Sequence, residues 1–242
     1  MKRGKLYGIG VGPGDPGLIT VKGANLLAQC RHVFVPKART KADSLALSIA
    51  NRYLSSSSEV HELVFPMTSE REELSRRWGE SAREIISVLE GGDDACFLTL
   101  GDPLLYSTYI YLLRAIRAII PDADVVTVPG ITAFSAAAAL AEFPVGEAKE
   151  PVVVIPTADD LEEVRRSLKE KGTVILMKIG KRLPEILNIL EDADLIDRGI
   201  FVSHAGMNNQ RVETDLRALR KEDAEAGYLS IILVHTEGEK TR

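Results

Sequence analysis

A chain of 242 residues, 45% hydrophobic and 27% charged, has room for one large or two small domains with true cores, which excludes disordered and fibrous classes. A net charge of −5, with acidic residues throughout, argues against a general phosphate-backbone binder, so no nucleic-acid partner is expected. Two cysteines, Cys30 and Cys96, exclude a disulfide framework and a multi-cysteine metal site. No apolar run reaches the roughly 20 residues of a membrane span, and residues 1–5 lead into a Gly-rich strand, so a soluble, unexported, cytoplasmic protein is expected.

Short β-branched runs alternate with segments of helical period, the pattern of an α/β fold with a mainly parallel sheet. In the first part of the chain the strands read as 6–11, 32–35, 59–64, 95–100 and 125–128, each followed by a helix. The clearest helix covers 70–89, where Leu74, Trp78, Ala82, Ile85 and Leu89 recur every three or four residues. Glu72 with Arg76 and Glu73 with Arg77 have helix-supporting spacing on its solvated side. An Ala-rich helix around 136–141 follows, and then Pro144 and Pro151 bracket a polar stretch. The expected organisation is therefore an N-terminal α/β domain over 1–142, a linker over 143–151 and a smaller C-terminal α/β domain over 152–242. Its strands read as 152–155, 173–177, 200–203 and 229–235, with helices near 161–169 and 183–190; residues 208–216 stay open between strand and helix.

Ligands in open α/β sheets bind beyond the carboxyl ends of the strands, so the loops there carry the functional argument. Seven of the 19 glycines lie in the first 23 residues, which brings backbone close to a partner group. Gly12, Gly14 and Gly17 formally satisfy the dinucleotide fingerprint and raise a nicotinamide-dependent oxidoreductase as an alternative. Pro13 and Pro16 remove two N–H donors, Asp15 adds a repelling carboxylate, and Lys37 stands where a ribose-binding acid is expected. The second strand ends in Val33-Phe34-Val35 and is followed by a loop with Lys37, Arg39 and Lys41, which suits an acidic substrate, although such a loop also reads as ordinary solvated surface. Asp102 with Pro103, and Thr132, each read equally well as helix caps.

Taken together, Gly10-x-Gly12-Pro13-Gly14-Asp15 with Thr20, then Gly101-Asp102-Pro103, then Pro129-Gly130-Ile131-Thr132-Ala133 resemble the tetrapyrrole methyltransferases that use S-adenosylmethionine. The resemblance covers essentially the whole chain. Val33-Phe34-Val35-Pro36-Lys37 before Asp43-Ser44-x-Ala46, with Leu104-Leu105-Tyr106-Ser107-Thr108, resembles the precorrin-2 or cobalt-factor II C20-methyltransferases of cobalamin biosynthesis. Uroporphyrinogen-III methyltransferases, methyltransferases of other precorrin positions and, more distantly, diphthine synthases are the neighbouring readings. The resemblance implies a two-domain tetrapyrrole methyltransferase fold with its site between the domains, a homodimer, and S-adenosylmethionine as cofactor, leaving as S-adenosylhomocysteine. It implies cofactor contacts at Pro13, Gly101, Asp102, Leu105, Tyr106, Thr132, Ala133, Met177, Phe201 and Leu229, with Leu105 and Tyr106 beginning a helix. The substrate side is assigned to Gly12, Gly14, Asp15, Lys37, Arg39 and Lys41.

Methyl transfer from a sulfonium needs orientation and desolvation more than an activated nucleophile. A base must still take the displaced proton, and His204 and Asp102 are the candidates. His32, His61 and His235 lie in strand-like runs without linear ligand spacing, so no protein-bound metal is expected. A non-catalytic adenosyl-ligand sensor is the remaining alternative, and turnover separates it.

Overall fold

In a computed structural model, which describes residues 2–37, 44–65, 70–156, 160–221 and 224–237, the chain divides into two compact units, Met1–Thr132 and Ala133–Arg242. The first unit runs β1 (Leu6–Gly10), α1 (Val21–Gln29), β2 (His32–Lys37), α2 (Leu45–Ala50), β3 (Glu59–Val64), α3 (Arg71–Glu90), β4 (Ala95–Thr99), α4 (Tyr109–Ile119) and β5 (Val125–Val128). Its strands form one five-stranded parallel sheet in the order β3-β2-β4-β1-β5. Strand alternation sends Leu6, Phe34, Ala95 and Phe97 to one face, where Ala82, Ile85 and Leu89 of α3 and Leu112 and Ile116 of α4 cover them. Ile9, Val33, Val35, Cys96 and Leu98 point to the other face, under Leu27 of α1 and Ala46, Ile49 and Ala50 of α2. Each fully buried Leu, Ile or Phe contributes about 1.5–3 kcal/mol, so both faces hold the sheet.

Sequence and structure differ at informative places. β2 continues through Pro36 to Lys37. Lys37 accepts from Phe65 N on the β3 side, so by alternation Pro36 turns its missing donor toward β4, whose pairing with β2 has ended at Phe34. Along α3 the ion pairs formed are Arg76–Glu80 at 2.6 Å and Arg77–Glu80 at 3.4 Å, instead of the pairs read from Glu72 and Glu73.

The second unit runs α5 (Ala133–Leu140), β6 (Val152–Pro156), α6 (Leu161–Ser167), β7 (Thr173–Met177), α7 (Leu183–Asp192), β8 (Gly199–Ser203), β9 (Arg211–Glu213) and β10 (Ser230–His235). Its sheet is mixed, in the order β6-β7-β10-β8-β9, with only β6 and β7 parallel. Val174, Leu176, Phe201, Ile232 and Val234 build its core with Val164 of α6 and Ile186 and Leu190 of α7. The division between units falls ahead of residues 143–151 because α5 packs on β10 and Phe143 stacks on His235 at 4.0 Å. The open stretch 208–216 becomes the short strand β9 followed by a 3-10 segment, Leu216–Lys221, that buries Leu216 and Leu219. Among the described residues no helix is long and apolar enough to cross a membrane.

Candidate active site

The connection leaving β1 leads to β2 on one side of the sheet, and the connection leaving β4 leads to β5 on the other, while β1 and β4 are neighbours. Their carboxyl ends therefore form the topological switch point where open α/β sheets take ligands. Two backbone hydrogen bonds join the loops there: Gly12 N donates to Gly101 O at 3.3 Å and Gly101 N to Gly12 O at 2.8 Å. Gly12 and Gly101 sit at φ +79° and +69°, a left-handed backbone that favours glycine. The loop after β5 joins them. A Cβ on Gly130 would lie 2.1 Å from Gly101 O and 2.8 Å from the Gly10 Cα, and one on Gly10 would lie 2.6 Å from Gly130 N, so the backbones meet only because Gly10 and Gly130 carry no side chain.

Asp102 locks this junction. One carboxylate oxygen accepts from Leu104 N at 2.9 Å within its own turn, and the other accepts from Gly130 N at 3.1 Å across the loops. The residue named as a possible base is thus a clamp with both oxygens engaged by backbone. Behind it, Thr99 Oγ1 and Ser107 Oγ lie 2.8 Å apart in a buried pair, and Ser107 Oγ accepts from Tyr109 N. The Tyr109 ring fills the space over Gly8, where a Cβ would lie 2.2 Å from it, and its hydroxyl meets Thr127 Oγ1 at 3.0 Å. Burial raises the Tyr109 pKa, so it is a neutral hydrogen-bonding anchor. The Cys96 thiol, raised by its hydrogen bond with Cys30 and by burial, is likewise no nucleophile.

The other residues named from sequence fall as follows. Pro13 and Gly14 are buried in the turn after β1. Asp15 caps the 3-10 turn Pro16–Leu18 through Gly17 N at 2.7 Å, Tyr53 ties that turn from Pro16 O, and Thr20 caps α1 through Gly23 N. Since α1 opens only at Val21, the Gly12–Gly17 fingerprint does not place a helix N-terminus where a pyrophosphate needs it. Leu105 and Tyr106 do not begin a helix: they lie in a turn, with Tyr106 at φ +50°, and α4 starts at Tyr109. Leu104 and Tyr106 are exposed beside the glycine junction. Thr132 immediately precedes α5 and Ala133 is its first residue. Lys37 is not a free cation, because its ammonium meets Glu62 at 2.6 Å and its side chain is only 10% exposed. Arg39 and Lys41 lie outside the described residues.

In the second unit, Met177 ends β7, and Leu229 and His204 immediately precede β10 and follow β8, so strand directions bring all three to one edge of that sheet. His204 N donates to Leu229 O at 3.0 Å, and both residues have positive φ, +50° and +46°. The half-buried His204 ring lies 6.1 Å from that of exposed Tyr228, an aromatic the sequence reading passed over in a polar stretch. Phe201 is different: the residue is 1% exposed, with its side chain inside the core and its backbone between β10 and β9.

The model of the tetrapyrrole (corrin/porphyrin) methylases matches residues 5–220. The chain belongs to this family. As a tetrapyrrole methylase it is a methyltransferase, and its two α/β units are the family's fold. A cobalt-precorrin-2 C(20)-methyltransferase of Salmonella typhimurium is 34% identical over 236 residues, 98% of each chain. Among solved structures, a cobalt precorrin-4 methyltransferase superposes with TM-score 0.72 at 23% identity, over 97% of this chain and 96% of that one. A uroporphyrin-III C-methyltransferase from Thermus thermophilus, complexed with S-adenosylhomocysteine, gives TM-score 0.64 at 18% identity, over 96% and 97% of the two chains.

Proposed function

We propose that this methylase transfers a methyl group from S-adenosylmethionine to C20 of cobalt-factor II or precorrin-2 in cobalamin biosynthesis. The observation that carries the regiochemistry is the 34% identity, across nearly the full length of both chains, with a relative named for C20 methylation of cobalt-precorrin-2. The glycine junction supports the cofactor. At Gly101, a buried residue, a Cβ would meet nothing nearer than Ile131 O at 4.0 Å, so there is room beside a backbone that carries the Asp102 carboxylate, a negative charge suited to a sulfonium. When bound, the cofactor supplies the electrophilic methyl group.

The chain's own residues supply position and charge. Gly10, Gly12, Gly101 and Gly130 let backbone approach closely, Asp102 fixes the loops, and the apolar sides of Leu104, Leu105 and Tyr106 exclude water. We assign Pro13, Thr132, Ala133, Met177 and Leu229 to further cofactor contacts on the strength of the family resemblance. Gly12, Gly14, Asp15, Arg39 and Lys41 are assigned to the substrate side. As C20 gains its methyl group it loses a proton; since both Asp102 oxygens are engaged, His204 is the candidate acceptor. A homodimer acting in the cytoplasm completes the reading, and light scattering of the purified protein tests the dimer.

The deciding experiment incubates the protein with precorrin-2 and cobalt-factor II in parallel, using methyl-labelled cofactor, and locates the label by NMR. Label at C20 is expected, and label at another carbon replaces this reading with another tetrapyrrole methylation. S-adenosylhomocysteine at 100 times its dissociation constant should stabilise the protein by about 2.7 kcal/mol, whereas NAD should not.

A further inference from the structure

The opposite end of the first sheet carries a side-chain cluster that methyl transfer does not use. At the amino ends of β2 and the edge strand β3, His32 lies opposite Glu59 in register, and His61 lies two residues further along β3, opposite Phe34. Alternation places His32, Glu59 and His61 on the face covered by α3. His32 Nδ1 and His61 Nε2 are 3.1 Å apart, and Glu59 Oε2 is 3.5 Å from His32 Nδ1. One ligand atom from each of the three residues falls within 4.8 Å of the others. Tetrahedral ligands at the usual zinc–nitrogen distance stand about 3.3 Å apart, close to the 3.1 and 3.5 Å that separate His32 Nδ1 from the other two ligand atoms.

The surroundings favour the same use. Each imidazole gives one nitrogen to the shared point and turns its other nitrogen toward a carboxylate: His32 Nε2 toward Asp93 at 3.6 Å and His61 Nδ1 toward Glu84 of α3 at 3.8 Å. Metal-ligating histidines commonly have a carboxylate at the outer nitrogen, and here both carboxylates stand just beyond hydrogen-bond distance of it. Glu59 Oε1 is held by Arg31, through Nε at 3.0 Å and a terminal nitrogen at 2.5 Å, which leaves Oε2 for the histidines. Phe34 stacks on the His61 ring at 4.5 Å and sets its plane. Three carboxylates against the single Arg31 cation make the pocket net negative, and His32 is only 12% exposed.

We propose that His32, His61 and Glu59 form a binding site for a divalent transition-metal ion of the zinc class, which fastens edge strand β3 to β2 at the end of the sheet away from the glycine junction. Two imidazoles and a carboxylate suit a borderline divalent ion, and solvent beside Glu59 can complete the coordination. The test is calorimetric titration of tag-free, chelator-treated full-length protein with Zn2+. One ion per chain is expected, lost in the His32→Gln/His61→Gln double variant and bound about 10- to 100-fold more weakly by Asp93→Asn. Because the double variant perturbs a strand pair, the wild-type protein is also followed by imidazole 15N NMR, where Zn2+ should shift His32 Nδ1 and His61 Nε2. No stoichiometric binding, undiminished binding in the double variant, or imidazole resonances unmoved by saturating Zn2+ would each overturn the proposal.

Discussion

The two ends of the first sheet do chemistry with different materials. At the carboxyl end the site is made of backbone: Gly10, Gly12, Gly101 and Gly130 bring three loops into contact, and the charged side chain at their junction, Asp102, serves to hold amides in place. At the amino end the cluster is made of side chains, His32, Glu59 and His61, from two strands whose register alone brings them together. The first arrangement requires rigid loops and tolerates almost no added atoms. The second depends on polar side chains at a partly exposed edge, where replacement costs less for the fold. A backbone-built site should therefore be fragile to small additions, and a side-chain-built one to loss of function without loss of structure.

The largest effect should follow Gly130→Ala. Its methyl group would overlap the Gly101 carbonyl, a backbone atom that cannot rotate away, so a loss of about 3 kcal/mol in denaturant unfolding is expected together with loss of S-adenosylhomocysteine binding. A stable Gly130→Ala protein that binds normally would break the comparison. Asp102→Asn keeps the shape but turns one acceptor into a donor facing a backbone N–H; a loss of about 1.5 kcal/mol and a clear fall in cofactor affinity are expected by calorimetry. Lys37→Met removes one partner of the pair with Glu62 and should cost about 1 kcal/mol or less, with little change in the KM for substrate, because the ammonium already faces the Glu62 carboxylate. A large rise in KM would return Lys37 to the substrate site.

The smallest effect concerns the second sheet. Burial holds the His235 pKa below its ordinary 6.5, against weaker opposing attraction from Glu150 and Glu147. The neutral ring stacks on Phe143 and meets Thr173 Oγ1 at 3.0 Å. A folded value below the unfolded one means that the unfolded chain takes the proton more readily, so this contribution is whole above about pH 6.5 and is lost as pH falls through the lower folded value. His235→Gln should flatten that part of the pH dependence of unfolding.

What was legible in the sequence follows the same division. Glycine runs record close backbone approach directly, so the carboxyl-end loops, most strands and the family resemblance could be read from the residues. Even there, α4 starts later than the resemblance implies: Asp102 and Ser107 hold a turn through Leu105 and Tyr106, and the helix opens at Tyr109. Contacts set by register could not be read. Lys37 looked like a free cation because Glu62 is its neighbour only across strands, and the imidazoles of His32 and His61, 29 residues apart, meet only once β2 and β3 pair. Phe201 marks a third limit, since sequence position says nothing about whether a strand residue faces core or ligand.

The most direct measurement of the account is amide chemical-shift mapping of the isotopically labelled protein during titration with S-adenosylhomocysteine. The Gly12, Gly101 and Gly130 amides are expected to shift in a saturable manner while those of His32 and His61, at the other end of the same sheet, stay in place. Shifts centred on His32 and His61, or saturable binding that leaves the three glycine amides unmoved, would contradict it.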